Sequence, residues 1–149
     1  MNGDAFLEQF GNAACYLRMS DEEKYKLMAD TKADQGKKFV WVPKGDTLYE
    51  KGLLTRIEDG MAYVERLCDG KEIKMKEEEM IEEMKNPAKM DKIEDMSDMT
   101  YLNEASVLFN LRDRYSVFMI YTYSGLFCVT VNPYKMLPAG LVCCNTAVF

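Results

Sequence analysis

The sequence predicts an α+β, mainly β fold: an N-terminal helical lead, a small β-barrel, then a helix that runs into a β-hairpin. Three observations predict it. From Lys37 onward, short apolar-rich runs (FVWVP, LYEKGLLTRIE, MAYVERL, EIKMKEE) alternate with Pro43-Lys44-Gly45-Asp46, Asp59-Gly60 and Asp69-Gly70, which carry turn chemistry. Asn103 then precedes Val107, Leu108, Leu111 and Tyr115, whose helical spacing builds one apolar stripe. Finally, residues 117–123 and 126–131 are dense in β-branched and aromatic side chains and flank Ser124-Gly125, where glycine can take positive φ.

In chain order, residues 1–33 form the lead. Ser20-Asp21-Glu22-Glu23 is a helix start in which Ser20 caps and Glu23 closes a capping box. This predicts a surface helix over residues 21–30 that docks on the barrel through Tyr25, Leu27 and Met28. Upstream, Phe6, Phe10, Ala13, Ala14 and Leu17 fall near helical spacing, interrupted by Gly11.

Residues 34–84 are the barrel. Short strands over so few residues cannot make a broad open sheet with a deep core, whereas a curled barrel buries one common interior. Val40, Val42, Leu54, Ile57, Tyr63, Leu67 and Ile73 are the expected core. Trp41 is read as a packing residue rather than the wall of a ligand groove. A proline-peptide groove needs several clustered aromatics, and only Trp41, Tyr49 and Tyr63 are candidates.

Residues 74–98 interleave many carboxylates with Met75, Met80, Met84, Met90 and Met96. Glu77, Glu78 and Glu79, or Asp91, Glu94 and Asp95, could offer oxygen ligands. They lack the alternate-residue donors and central glycine of a calcium loop, so a solvated strand end and linker is expected and no metal. Asn86-Pro87 marks the boundary to residues 85–138, where Glu104 sits in the first turn of the capped helix and the hairpin stops at Asn132-Pro133. Residues 139–149, AGLVCCNTAVF, carry no strong pattern. Cys143 and Cys144 are read as plain thiols.

Composition narrows the function classes. The 149 residues are 48% apolar, as in globular proteins, and carry a formal net charge of -6. An acidic chain does not supply the basic face that nucleic acid requires. Five cysteines, an odd number, argue for reduced cytoplasmic thiols over a secreted disulfide framework. With no histidine, Cys/His zinc sites, histidine bases and Ser-His triads are excluded. No apolar run approaches a membrane span, Asn2 is incompatible with myristoylation and the final TAVF lacks a prenylation cysteine, so no membrane partner is expected.

The long irregular run IEDMSDMTYLNEASVLFNLRDRY followed by IYTYSGLFCVTVNPYK resembles the start of the motor domain of muscle-type (class II) myosin heavy chains. Upstream, KKFVWVPKGDTLYEKGLLTRIEDGMAYVERLCDGKEIKMKEEEMIEEMKNP is similar to the SH3-like barrel that precedes the motor in that family. The resemblance covers residues 34–138 and ends before residues 139–149. It implies a parent that is an actin-activated, ATP-driven motor of muscle, located in the cytoplasm with the cytoskeleton and myosin filament. That parent uses ATP and Mg²⁺, binds actin filaments and light chains, and dimerises through its tail. It also implies that Asn132, Pro133, Tyr134 and Lys135 match the beginning of the loop that walls the adenine side of the nucleotide pocket, with Gly140 where the family has a tyrosine.

The family's phosphate loop, G-x-x-x-x-G-K-[ST], is not in these residues. Gly36-Lys37 and Gly70-Lys71 lack both the upstream glycine and the following hydroxyl. The expectation is therefore an N-terminal fragment truncated before the phosphate loop, without actin-binding elements, cofactor or enzymatic activity of its own, and with the remainder of a motor as its natural partner. The rival expectations are a stand-alone SH3-like interaction module and an inert truncated product.

Overall fold

The computed structural model describes residues 8–44 and 48–137. Phe6, the Gly45-Asp46 part of the first barrel turn, Pro138 and the tail with Gly140, Cys143 and Cys144 lie outside them. Helix α1 (Asp21–Ala33) begins as its sequence dictates: Ser20 Oγ accepts from Glu23 N and the Glu23 carboxylate accepts from Ser20 N, each at 3.3 Å. It does not dock on the barrel through its apolar residues. Tyr25 and Met28 are exposed, and the helix touches instead the 3-10 turn Ala88–Met90, where Lys89 N donates to Thr31 Oγ1 at 2.7 Å. Charged side chains occupy every face of α1, so it has no apolar stripe to bury. Upstream, Gly11 at φ +50° divides the helical pattern into a 3-10 turn, Gly11–Ala13, and a single turn of helix, Ala14–Leu17, with Ala13 and Ala14 buried.

Strands β1 (Phe39–Lys44), β2 (Leu48–Glu58), β3 (Met61–Arg66) and β4 (Glu72–Lys76) form a curled antiparallel sheet in sequential order. Its core is Val40, Val42, Ala62, Val64 and Met80, with Leu54, Ile73, Met75 and Met84 packed around it. Gly52 lies opposite Val40, where any Cβ would land on Val64 Cγ1, so the strands close together only because that position has no side chain. The expected core is corrected at three places. Alternation along β3 turns Ala62 and Val64 inward, which places Tyr63 on the other face beneath the Arg56 guanidinium, 4.0 Å from the ring centroid. Ile57 lies beyond the register shift between Leu54 and Arg56, Leu67 lies past the end of β3, and both are exposed.

Residues 74–98 are not a solvated linker. Helix α2 (Glu77–Glu82) puts Met80 into the sheet's core, and residues 83–85 run antiparallel to β1. There Trp41 N donates to Glu83 O at 2.7 Å and Lys85 N to Phe39 O at 2.9 Å, satisfying the free edge of β1. Met96 is also buried.

Helix α3 (Glu104–Ser116) is capped by Asn103, whose Oδ1 accepts from Ser106 N at 2.8 Å. Strands β5 (Tyr121–Ser124) and β6 (Phe127–Thr130) pair around Gly125-Leu126, one residue later than the sequence predicts, with Gly125 at φ +60°. Residues 117–120 are not strand: Val117 and Phe118 form a turn in which Val117 caps α3 and Phe118 takes φ +61°. The buried face of α3 also differs from expectation. Val107, Leu111 and Tyr115 are half-buried and Leu108 is 43% exposed, whereas Ala105, Ser106, Asn110 and Arg114 are buried.

Candidate functional site

Residues 132–135 follow β6 and pass beneath the end of α3. The strand is held up to the loop by Val131 N, which donates to Ile120 O at 3.0 Å, and Tyr115 OH donates to Asn132 O at 3.4 Å. Asn132 Oδ1 accepts from Tyr134 N at 2.8 Å, an Asx turn that holds Tyr134 at φ +52°. The carboxamide oxygen is thus occupied inside the loop, and Nδ2 is the Asn132 group with no partner among the described residues. Pro133 is half-buried, Tyr134 is 90% exposed, and Leu137 is buried and anchors the far end. The Lys135 ammonium sits 3.6 Å from the centroid of the Phe118 ring, so the left-handed turn at Phe118 presents the aromatic face that holds this lysine. The four residues are therefore brought together as one surface loop with two donors, Asn132 Nδ2 and Lys135 Nζ, beside an exposed aromatic ring.

The two Gly-Lys pairs are structural turns. Gly36, at φ +88°, follows α1, and Lys37 pairs with Asp34 at 3.0 Å. Gly70, at φ +67°, lies in the β3–β4 turn, where Lys71 N donates to Asp69 Oδ1. Neither pair begins a helix, so neither has the converging amides that hold phosphates. No three Cys, Asp or Glu side chains among the described residues converge as metal ligands.

The loop is positioned by a buried polar seam that sequence reasoning missed. Trp41, 2% exposed, packs against Phe109 with ring centroids 5.0 Å apart, and its Nε1 donates to Ser106 Oγ at 3.0 Å. Asn86 joins them: Nδ2 donates to Ser106 Oγ at 3.2 Å and to Tyr101 O at 2.7 Å, while Oδ1 accepts from Tyr101 N at 2.7 Å. The boundary residue is thus a buried staple between sheet and helix. Asn103 adds two more links, donating from Nδ2 to Glu82 O and Met84 O.

Two turns beyond Ser106 along α3, Arg114 is 1% exposed. Its Nε donates to Thr122 Oγ1 at 2.9 Å, Nη1 to Lys92 O at 2.9 Å, and Nη2 to Tyr121 O at 2.8 Å and Leu17 O at 3.4 Å. A single guanidinium thereby fastens the N-terminal lead, the connector and the hairpin that carries the loop. Burial disfavours its charge and pulls its pKa down, with Glu94 acting the other way. Burial also lowers the pKa of Lys85, opposed by Asp91 at 3.0 Å, and raises that of the half-buried Asp113 carboxyl. The available signal was the spacing of Ser106, Asn110 and Arg114, four residues apart on one helical face. Their polarity made that face look solvated.

Compared with known families, residues 26–83 match the myosin N-terminal SH3-like domain and residues 93–142 match part of the myosin head (motor domain). The curled sheet lies in the first match and α3, the hairpin and residues 132–135 lie in the second. The two consecutive matches support reading the chain as a myosin N-terminal fragment, an SH3-like domain followed by part of the head.

Proposed function

We propose that this segment belongs to the heavy chain of a muscle-type (class II) myosin, a cytoplasmic motor that moves on actin filaments at the expense of ATP. In that reading the sheet is an accessory domain and residues 132–135 give part of the adenine-side wall of the head's nucleotide pocket. Supporting it are the order of the two family matches and the muscle-type run that passes through α3 and the hairpin into Asn132-Pro133-Tyr134-Lys135. The remainder of the motor would be the segment's partner, and the head's actin sites and the light chains would act on the parent.

By themselves the 149 residues bind ATP poorly and do not hydrolyse it. A triphosphate requires a nest of amides, a lysine and Mg²⁺, whereas this loop offers an adenine one amide and one lysine on an open surface. Even millimolar affinity requires about 4 kcal/mol of net binding, more than two exposed hydrogen bonds of roughly 1 kcal/mol each supply after the cost of association. Calorimetric titration with Mg-ATP, beside phosphate release with and without actin filaments, tests this. No saturable heat and no actin-stimulated release are expected. A Kd below about 100 μM or stimulated turnover would show a nucleotide pocket that this reading lacks.

A further inference from the structure

We propose that the cleft between α1, the β1–β2 edge and the connector at residues 84–91 binds a small phosphate monoester with an apolar body. The cleft has a volume of about 540 Å³, within the range of ligand-sized pockets, and no residue of the 132–135 loop lines it.

Its charge opposes that of the protein. Lys37, Lys38, Lys51 and Lys85 face Asp34 and Asp91, giving four positive against two negative groups in a chain of net charge -6. Such a local reversal concentrates anions. Both carboxylates are already engaged: Asp34 with Lys37 at 3.0 Å, Asp91 with Lys85 at 3.0 Å and, more distantly, with Lys51 at 3.9 Å. Lys38 has no ionic partner among the described residues, and the ionic contact of Lys51 is that long one, its Nζ also lying 4.7 Å from the centroid of the Phe109 ring. These two ammonium groups are the ones an incoming anion meets.

The rest of the site fixes the ligand's class. Phe39, Leu53 and Met84 line the cleft and accept an apolar body. No arginine lines it. Separate lysine charges suit a tetrahedral oxyanion approached from several sides, whereas a flat carboxylate is better met by a guanidinium fork. Lys85, paired with Asp91, forms the floor, its Nζ 5.8 Å from the Trp41 ring centroid and 5.5 Å from that of Phe109.

The test is titration of the full chain with phenyl phosphate, followed by amide chemical shifts, with inorganic phosphate and benzyl alcohol as the separate head and body. Saturable shifts at Phe39, Leu53 and Met84 are expected with phenyl phosphate, and binding about tenfold weaker with either half alone. The double variant Lys38→Gln/Lys51→Gln should weaken binding about tenfold, while Lys24→Gln, near the start of α1, leaves it unchanged. If the double variant loses its folded spectrum, Lys38→Gln alone, at an exposed position, carries the test with a smaller loss in the same direction. Absence of saturable shifts, equal binding of benzyl alcohol, or undiminished binding by the folded lysine variant overturns the proposal. The readout involves neither nucleotide nor actin, so it stands or falls separately from the motor assignment.

Discussion

The sheet domain and the helix-hairpin region are held together by opposite means. In the sheet, Val40, Val42, Ala62, Val64 and Met80 meet as a dry apolar cluster. Across α3, polar side chains dominate the buried face: Arg114, Asn110 and Ser106 are buried beside Ala105, with Thr122 from the hairpin. The first is an ordinary hydrophobic core, tolerant in detail because its contacts are many and weak. The second depends on a few directional bonds, each expensive to leave unmade once its acceptor is buried. A substitution of similar size should therefore have a larger effect in the second region than in the first.

Arg114→Met is the most severe way to break that contrast. It keeps much of the volume but removes the donors to Thr122, Tyr121 and Lys92, leaving buried acceptors at about 1–3 kcal/mol each. A loss of about 3 kcal/mol or more is expected, with hydrogen exchange accelerated first in the hairpin. Arg114→Lys should rescue little, since one ammonium cannot span the acceptors of the fork. A melt unchanged within 1 kcal/mol would make the seam incidental.

Gly52→Ala probes the sheet with the smallest possible addition. Its Cβ would land on Val64 Cγ1 and lie 3.0 Å from Val42 Cγ2, both on β-branched side chains with restricted rotamers. Overpacking should cost about 1–3 kcal/mol in denaturant unfolding, with the hairpin's exchange unchanged. Simultaneous loosening of the hairpin would mean that the two regions are one cooperative unit.

The hairpin tip gives a gentler, pH-dependent test. Asp95 Oδ1 accepts from Gly125 N at 2.9 Å and from Ser97 N at 2.9 Å, and these bonds hold its carboxyl below the usual aspartate pKa. Because the folded pKa is the lower one, the stabilisation is fully present above the unfolded value and is lost as pH falls through the folded value. Gly125 amide protection, corrected for intrinsic exchange, should therefore decline at acid pH, and Asp95→Ala should show the low protection at every pH. Equal pH profiles for the two chains would refute the link.

Leu108→Asp should have the smallest effect. The sequence places Leu108 on the buried stripe, where a carboxylate would cost several kcal/mol, but the exposed side chain in the structure predicts a change within about 0.5 kcal/mol. A loss above about 2 kcal/mol would restore the apolar stripe as the packed face.

This contrast also explains what could be read in advance. Strands, turns and both helix caps were legible because they rest on local chemistry: Ser20 with Glu23, Asn103 with the first turn of α3, and glycines in tight turns. The sheet's inward set was legible at Val40, Val42, Leu54 and Ile73 but not along β3, where size suggested Tyr63 and strand parity selected Ala62 and Val64. The polar seam was not legible at all. Nothing local tells a buried arginine with distant carbonyl partners from one bathed in water, since its partners lie 7 to 97 residues away along the chain. For the 132–135 loop, the residues were named from sequence, but the Asx turn and the Lys135–Phe118 contact needed coordinates.

Residues 84–92 lie between the two family matches, which end at 83 and resume at 93. Yet this stretch completes the edge of β1, inserts Asn86 beneath Ser106 and supplies Lys92 O to Arg114. The border between the two matches and the folding seam are therefore offset. A chimera that exchanged the sheet domain at its apparent border would sever these links while leaving both halves nominally intact. A successful graft must carry the junction with the donor domain and transplant matching partners for Trp41 and Asn86 into the recipient helix. Interchangeability of the domain is thus governed by those few contact positions on its neighbour, not by the similarity of the sheets being exchanged.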